Sequence, residues 1–443
     1  MKYINYILII VLLLVVNILS AQQGTLVLSL DKVREKALSN NAEVKIRQYE
    51  FWEAEEQLSL EKTKRYPEVF GDFNLQRNLI IPVTPVPAKA FNQHAGENDI
   101  LPLKFSTRWT GNTGLNLNYE LFKPSSKSEL KIKSLEVDIA NTNQKVAENE
   151  AYFQASKAYV AALLAKEQVA LYERELIAKK QVLGVLTERF EAGRITKITF
   201  NEGQSDYNLA KSRTAEAHNI FDKAISSLLY ELGHNPHDHF DIIFEDSIES
   251  LFLSFNDLEK SEMSLSLRAI EQQGEVLQYK IKEEKAKNLP RVILGGYYGT
   301  SYFNNAFDPF KDQNFYGNSY IKTGVVVPIT DWLHSKKQRS IISYQHQANQ
   351  TAYMDKQRQL ALSFLQAKKD VDFTYEQYVF LKDNYNLVKD NKELIEQQFK
   401  EGRLLISEVY QADFMLQQAK NEYLNAAYNY IDAQLILEYE VRK

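Results

Sequence analysis

The stretch KKQRSIISYQHQANQTAYMDKQRQLALSFLQAKKDVDFTYEQYVFLKDNYNLVKDNKELIEQQFKE, residues Lys336 to Glu401, decides the fold. Its 66 residues include no Pro and no Gly, and apolar side chains recur at Leu360, Phe364, Val371, Tyr375, Tyr378, Tyr385, Val388, Ile395 and Phe399. Steps of three, four and seven keep one stripe on one side of a helix, so the spacing predicts a single amphipathic helix. At about 1.5 Å per residue such a helix runs roughly 100 Å. A rod of that length cannot wrap a compact core, and it has to lie beside others of its kind.

Working outward, the turn Gly402-Arg403-Leu404-Leu405 follows, and a last helix is expected from about Ser407 almost to Lys443. An equivalent series stands earlier in the chain. Residues 125–192 carry a second helical stripe through Phe153, Val160, Leu164, Leu171, Leu176, Leu183 and Phe190. The turn Phe190-Glu191-Ala192-Gly193-Arg194 matches Phe399-Lys400-Glu401-Gly402-Arg403, and a return helix is expected from Ile198 to Leu232, stopped by Gly233. Shorter helices over 29–66 and 257–289 end at Pro67 and Pro290, behind the matched stretches Lys62-Thr63-Lys64-Arg65-Tyr66 and Lys285-Ala286-Lys287-Asn288-Leu289. One unit of helix, strand, strand, long helix, turn and helix thus occurs twice, over residues 22–246 and 247–443.

Between the short and long helices the period changes. Leu115-Asn116-Leu117-Asn118-Tyr119-Glu120-Leu121 alternates apolar with polar, as does 72–79 less cleanly. Period two gives a strand with one apolar and one polar face. Residues 81–110, with Pro82, Pro85, Pro87 and Pro102, read as a long loop closing this hairpin. Two further strands are expected near 292–303 and 316–329, where Tyr297, Tyr298, Tyr302, Phe303, Tyr316 and Tyr320 suggest an aromatic girdle at a membrane interface.

Met1 to Ala21 reads as a signal peptide: Lys2 is the positive end, Ile7 to Val16 the apolar run, and Leu19-Ser20-Ala21 precedes a cut at Gln22. The chain has no Cys, which excludes a disulfide framework, thiolate metal sites and a Cys nucleophile. Its formal charge of −5 gives no electrostatic reason to bind nucleic acid. No Ser/His/Asp spacing, phosphate loop or zinc pattern occurs, so no enzyme, cofactor or metal role is expected. His234, His237 and His239, with Asp238 and Asp241, are open to a metal-ligand reading, and equally to that of a polar turn behind Gly233.

Four tilted strands with a lipid-suited face cannot close a barrel alone, because open edges are not tolerated in a bilayer. The strands must be pooled with copies of the same chain. Helices leaving such a barrel would extend as a tube into the periplasm.

The chain resembles the TolC-like outer-membrane efflux proteins. The resemblance covers nearly all of residues 25–443 and rests on four features in order. These are Leu28-Ser29-Leu30-Asp31 with Ala37-Leu38-Ser39-Asn40-Asn41, then Tyr119-Glu120-Leu121-Phe122, and the two glycine turns, the second followed by Ile406-Ser407-Glu408-Val409-Tyr410-Gln411-Ala412. It implies a mainly α fold with a small membrane β part. Long antiparallel helical hairpins would form an α-barrel, and four strands per chain a shared 12-stranded trimeric β-barrel. The implied function is an outer-membrane exit duct of a tripartite efflux or type I secretion system. Its partners would be a homotrimer's other copies, outer-membrane lipid, a periplasmic adaptor and an inner-membrane transporter.

The resemblance also places the turns Gly193-Arg194 and Gly402-Arg403 at a periplasmic tip that meets the adaptor. It places Glu408, Gln411, Thr199 and Glu202 at the gate positions, where Glu408 keeps a carboxylate that the family often supplies as Asp. Three copies of Glu408 would make a negative mouth. The other reading of Glu408 is a solvated acid in the first turn of the last helix, favoured there by the helix dipole. Outside the resemblance, a periplasmic coiled-coil structural or adaptor protein is the alternative function.

Overall fold

The computed structural model describes residues 25–235, 238, 240–252, 264–308, 315–401, 403–404 and 406–443. The proposed signal peptide, Gly402, His237, His239 and the expected helical residues 257–263 lie outside these. The chain forms two compact units. One comprises the chain up to Trp52, Ile139–Glu271 and Thr351–Lys443, the other Glu53–Asp138 and Gln272–Gln350.

The first unit is built of paired helices. Strand β1 (Thr25–Leu28) pairs in parallel with β6 (Asp241–Phe244), a four-residue ladder too short to show any sequence period. Directly behind β1 comes α1 (Leu30–Asn40), capped by Ser29 and broken at Asn41 before α2 (Ala42–Thr63). A carboxylate oxygen of Asp246 accepts the Leu30 N–H at 2.8 Å, which places an anion at the α1 N-terminus where the helix dipole favours it.

The long helix α3 (Ser126–Glu191) returns as α4 (Lys197–Glu231), and α6 (Asp331–Lys400) returns as α7 (Ile406–Arg442). α6 begins five residues before the expected Lys336, taking in Trp332 and Leu333. Contacts between α3 and α7 run in opposite sequence directions. Phe153 stacks on Tyr439 at 4.5 Å, Lys157 meets Asp432 at 3.1 Å, and Gln168 meets Asn425 at 3.1 Å. The helices are therefore antiparallel.

The core of this unit lies where β1 and β6 meet the helices. Tyr159, Leu163, Leu228, Leu232 and Ile431 are buried, and the Tyr159 hydroxyl lies 2.9 Å from Asp246 and 3.1 Å from the Leu28 carbonyl. Nearby, the buried Arg34 donates to Glu438 at 2.8 Å and to Ser156 at 2.9 Å. Its guanidinium lies 4.2 Å from the Tyr152 ring centroid, and Arg442 lies 4.3 Å from the same ring. Buried charge of this kind costs desolvation unless it is paired and hydrogen-bonded, as it is here.

The second unit carries one antiparallel sheet in the order β2 (Glu68–Arg77), β5 (Trp109–Phe122), β7 (Arg291–Asn304), β8 (Phe315–Val326). The expected strands are all present, β2 starting earlier and β5 running longer than the alternation alone indicated. Pairs Glu68↔Asn118, Phe122↔Val292 and Arg291↔Val326 put the starts of β2 and β7 and the ends of β5 and β8 at one edge of the sheet. These are the four strand ends that lead into α2, α3, α5 (Leu265–Ala286) and α6. The opposite edge carries the two loops. The longer loop, expected to lack structure, folds its own hairpin of β3 (Thr84–Pro87) and β4 (Ile100–Leu103).

The register explains two glycines. Gly114 and Gly299 are partners, and a Cβ on Gly114 would lie 2.7 Å from the Tyr298 carbonyl oxygen and 2.9 Å from the Tyr297 ring. Removing both side chains lets the Tyr297 ring lie across the two strands, where it stacks on Tyr320 at 5.9 Å.

Candidate functional site

Two surfaces of the molecule have chemistry that a packed core does not require: the turns that join the helical hairpins, and the two faces of the sheet.

At the first turn the chain leaves α3 through Gly193, whose φ of 67° is the left-handed conformation that a residue with a Cβ resists. The Gly193 N–H donates to the Phe190 carbonyl at 2.9 Å and the Arg194 N–H to the Arg189 carbonyl at 2.8 Å, the paired bonds of a Schellman closure. Thr196 then caps α4 by accepting the Thr199 N–H at 3.2 Å, and the two threonine hydroxyls lie 3.1 Å apart. Phe190 stacks on Phe200 at 5.0 Å and fills the inside of the bend. At the second turn the Arg403 N–H donates to the Gln398 carbonyl at 2.9 Å.

Around these turns Thr199 and Glu202 are exposed at the start of α4, and Glu408 and Gln411 are exposed at the start of α7. Each pair shares a face of its own helix, three residues apart; the two pairs stand on different helices. Arg194 and Arg403 are exposed, and Arg403 meets Glu401 at 3.2 Å. Lys392 of α6 bridges Glu396 at 3.0 Å and Asp413 of α7 at 3.2 Å. Burial opposes the Lys392 charge, but these two carboxylates hold it above its ordinary 10.5. Burial pushes the Tyr410 hydroxyl above its ordinary 10.0, and Arg189 of α3 lies close enough to oppose that shift.

The sheet has two unlike faces. Register places Val69, Phe73, Leu115, Tyr298 and Ile321 on one of them, all solvent-exposed in the single chain, with Ile321 at 83%. The other face carries Asp72, Asn116, Asn118, Glu120, Arg291 and Lys322. There Asn116 donates to Asp72 at 2.5 Å and Arg291 to Glu120 at 3.3 Å. A soluble protein does not leave so large an apolar face uncovered, whereas a bilayer calls for this alternation of apolar-out and polar-in. The aromatic residues do not form a single girdle: Tyr298 and Tyr302 lie on the apolar face, Tyr297 and Phe303 on the polar one. Neighbouring residues in a strand point to opposite sides, so clustering in sequence does not make clustering on a face.

Sequence inspection followed large apolar residues and passed over the small ones. In α7, Ala412, Ala419, Ala426 and Ala433 recur every seven residues and all are buried; in α4, Ala210 and Ala217 do the same. A seven-residue step keeps a seam facing its partner helix, and alanine lets the partner come close. The signal was present in the sequence as a heptad of alanine. Among the described residues no group of His, Cys, Asp and Glu is arranged to hold a metal ion, and no helix is long and apolar enough to cross a membrane.

An amphipathic sheet whose two edge strands have no partner among the described residues, carried on a chain of long paired helices, defines the class: a mainly helical channel protein whose membrane part is made of strands. The chain belongs to the outer membrane efflux protein family, whose sequence model matches residues 33–234 and 261–438. Solved structures agree on the fold. A membrane protein from Pseudomonas aeruginosa superposes with a TM-score of 0.71 at 16% identity, covering 95% of this chain and 91% of that one. The Campylobacter jejuni CmeC outer membrane channel gives 0.71 at 15%, covering 93% and 85%. The Neisseria gonorrhoeae MtrE outer membrane channel, in its open state, gives 0.71 at 18%, covering 93% and 88%. No curated protein sequence matches the chain. The family is one of outer membrane efflux proteins, and CmeC and MtrE are channels rather than enzymes.

Proposed function

We propose that this chain is one protomer of a homotrimeric duct in the bacterial outer membrane, the exit channel of a tripartite efflux or type I secretion system. The observation that carries the reading is the sheet itself. Its strands alternate in direction, its edge strands β2 and β8 have no partner among the described residues, and one face is mostly apolar, with Thr113, Thr300, Ser319 and Thr323 as small polar interruptions. β8 of one copy can pair antiparallel with β2 of the next, so copies added in a ring close without leaving an edge in lipid. A ring of three copies and twelve strands, as the family resemblance implies, would leave room for solutes to pass.

In this reading residues 1–21 are the signal peptide, and 22–246 and 247–443 are two structural repeats. The turns Gly193-Arg194 and Gly402-Arg403 face a periplasmic adaptor that links the duct to an inner-membrane transporter. Glu408, Gln411, Thr199 and Glu202 stand where hairpins from three copies would converge to close the duct. The polar sheet face, with its Asn116–Asp72 and Arg291–Glu120 pairs, would line the water-filled lumen.

Extraction and single-channel recording test this. The mature protein should stay with the membrane fraction, require detergent, run at three times the protomer mass by light scattering, and conduct ions in a planar bilayer. Water-soluble monomers without conductance would remove the duct reading and favour a periplasmic coiled-coil protein.

A further inference from the structure

The four junctions where strands meet helices share a composition that the rest of the chain lacks. Residues 61–68, 119–133, 280–291 and 331–339 hold 15 Lys and Arg against 7 Asp and Glu, on a chain whose formal net charge is −5. The matched stretches Lys62-Thr63-Lys64-Arg65 and Lys285-Ala286-Lys287 fall in two of them. The register places all four at one edge of the sheet, and further contacts join them. Arg291 meets Glu120 at 3.3 Å, and Asn288 donates to Ser335 at 2.9 Å.

Five of the acids are already engaged by lysines and arginine within these junctions. Glu61 pairs with Lys64, Glu129 with Lys123, Glu283 and Glu284 with Lys287, and Glu120 with Arg291. Burial disfavours the Glu129 carboxylate, but the Lys123 and Ser125 hydrogen bonds outweigh it and hold its pKa below the ordinary 4.5. The surplus is positive and outward: Lys62, Arg65, Lys127, Lys285, Lys336 and Lys337 are all exposed. Beside them stand exposed apolar and aromatic side chains, among them Tyr66 at 73%, Phe122 at 58% and Trp332 at 53%. At the first two junctions a groove of about 850 Å³ opens between Arg65, Tyr66 and Lys127. Basic residues interleaved with Trp and Tyr, directly beyond an apolar strand face, match the headgroup layer of a bilayer in both polarity and charge.

We propose that this belt binds the phosphate-bearing headgroups of anionic phospholipids, in the leaflet that meets the helix-bearing edge of the sheet. The proposal rests on the reading of the sheet as membrane-embedded and adds to it which lipid class is held and by which residues. The engaged acids keep the junctions folded, and the surplus cations face the lipid. Zwitterionic headgroups, whose amine opposes the phosphate, would bind more weakly.

The test uses the full mature protein in its assembled state. Conductance in a planar bilayer is scored first, because a protein that does not insert removes the duct reading and this proposal with it. Conducting protein is then exchanged into mixed micelles of phosphatidylglycerol and phosphatidylcholine, and co-purified lipid is counted by native mass spectrometry. Phosphatidylglycerol should be enriched roughly tenfold at low salt and lose most of that enrichment at about 1 M salt, as exposed charge interactions do.

Changing Lys62, Arg65, Lys127, Lys285, Lys336 and Lys337 together to Gln should abolish the enrichment and leave conductance in place. The same six positions filled with Arg should retain it. Six exposed lysines elsewhere, Lys45, Lys180, Lys223, Lys368, Lys369 and Lys389, changed to Gln should also retain it. Equal retention of both lipids by the wild type, or enrichment surviving in the belt variant, would overturn the proposal. So would displacement of the lipid by inorganic phosphate beyond what chloride causes at equal ionic strength, which would assign the site to a free anion. Should the belt variant fail to assemble, the wild-type salt titration and the Arg variant decide.

Discussion

The helical unit is packed unevenly, and its two ends make an instructive pair. Where β1 and β6 meet α3 and α7, side chains as large as Tyr159 and Leu163 are fully enclosed. Toward the turns this changes: in α3 no residue beyond Glu175 is buried, and the contacts that hold the hairpins are ion pairs such as Lys179–Asp206 and stacked rings such as Phe190–Phe200. Both ends are continuous helix, but residues 153–172 of α3 carry three charged side chains and residues 173–191 carry eight. Composition and packing together say where the chain places its stability and where it keeps freedom to rearrange. Local opening free energy follows buried apolar contact, so the turn-bearing ends are the low-stability end of the unit.

The most severe way to test this contrast is to hollow out the enclosed end. Leu163→Ala should cost about 3 kcal/mol by lost burial and the cavity left behind. Chemical denaturation followed by circular dichroism measures it. The same truncation at Leu183, partly exposed near the turn, should cost under about 1 kcal/mol. Equal losses at the two positions would mean that the packing gradient does not govern stability.

Alkaline titration sharpens the same contrast with a smaller effect. Burial raises the hydroxyl pKa of Tyr159 and of Tyr423, and hydrogen bonding to Asp246 and Glu249 raises each further. A pKa raised by folding means that the folded protein holds these protons more tightly than the unfolded chain. The stability this provides is complete below the ordinary tyrosine value near pH 10 and drains away above it. Each tyrosine then removes up to about 1.4 kcal/mol per pH unit. Unfolding should therefore steepen above about pH 10, and Tyr159→Phe should soften that slope. A variant with the wild-type slope would show that the enclosed hydroxyl is not the group titrating.

These features differ in how far the sequence reveals them. The helices are legible because the stripes of the long ones run through many turns, and because long and short ones stop at Gly193, Gly233, Pro67 and Pro290, residues with a physical reason to stop a helix. Strands β2 and β5 are legible for the same reason in period two, whereas β7 and β8 alternate less regularly. The four-residue ladder of β1 with β6 joins segments over two hundred positions apart, and no local period can announce it. β3 and β4 are hidden by Pro85 and Pro102, which face each other in the register and each lack a donor. The alanine seams were written plainly and escape notice only when large side chains are sought. The start of α6 was placed late because Trp332 and Leu333 precede the stripe. At the candidate gate, sequence supplies residue types and the structure supplies exposure and caps; the convergence of three copies is beyond a single chain.

At the turn-bearing end the expected effects on stability are small, and the two turns can be set against each other. At Gly193 a Cβ would meet nothing within 4 Å, so Gly193→Ala is opposed by backbone conformation alone. It should cost about 1 kcal/mol and leave conductance unchanged. A loss several times larger, read by thermal melting, would show that the turn packs against something a single chain does not supply.

The smallest effect on folding is expected at Glu408, and there the reading of function is most exposed. The side chain is exposed in the first turn of α7, where the helix dipole favours an acid by a few tenths of a kcal/mol. If that is its whole role, Glu408→Ala lowers stability by about 0.5 kcal/mol and does nothing else. If three copies converge on the duct, their carboxylates set the field at a narrow mouth, and a trivalent cation added from the helical side should block current in the wild type at low concentration. Glu408→Ala should then weaken block at least about tenfold, while Glu202→Ala, on the other return helix, separates the contribution of the first turn. Because the folding cost is nearly the same under either role, a change in block cannot be a by-product of unfolding. Unaltered block in Glu408→Ala would leave this residue as a helix-start acid and move the closure of the duct to another set of side chains.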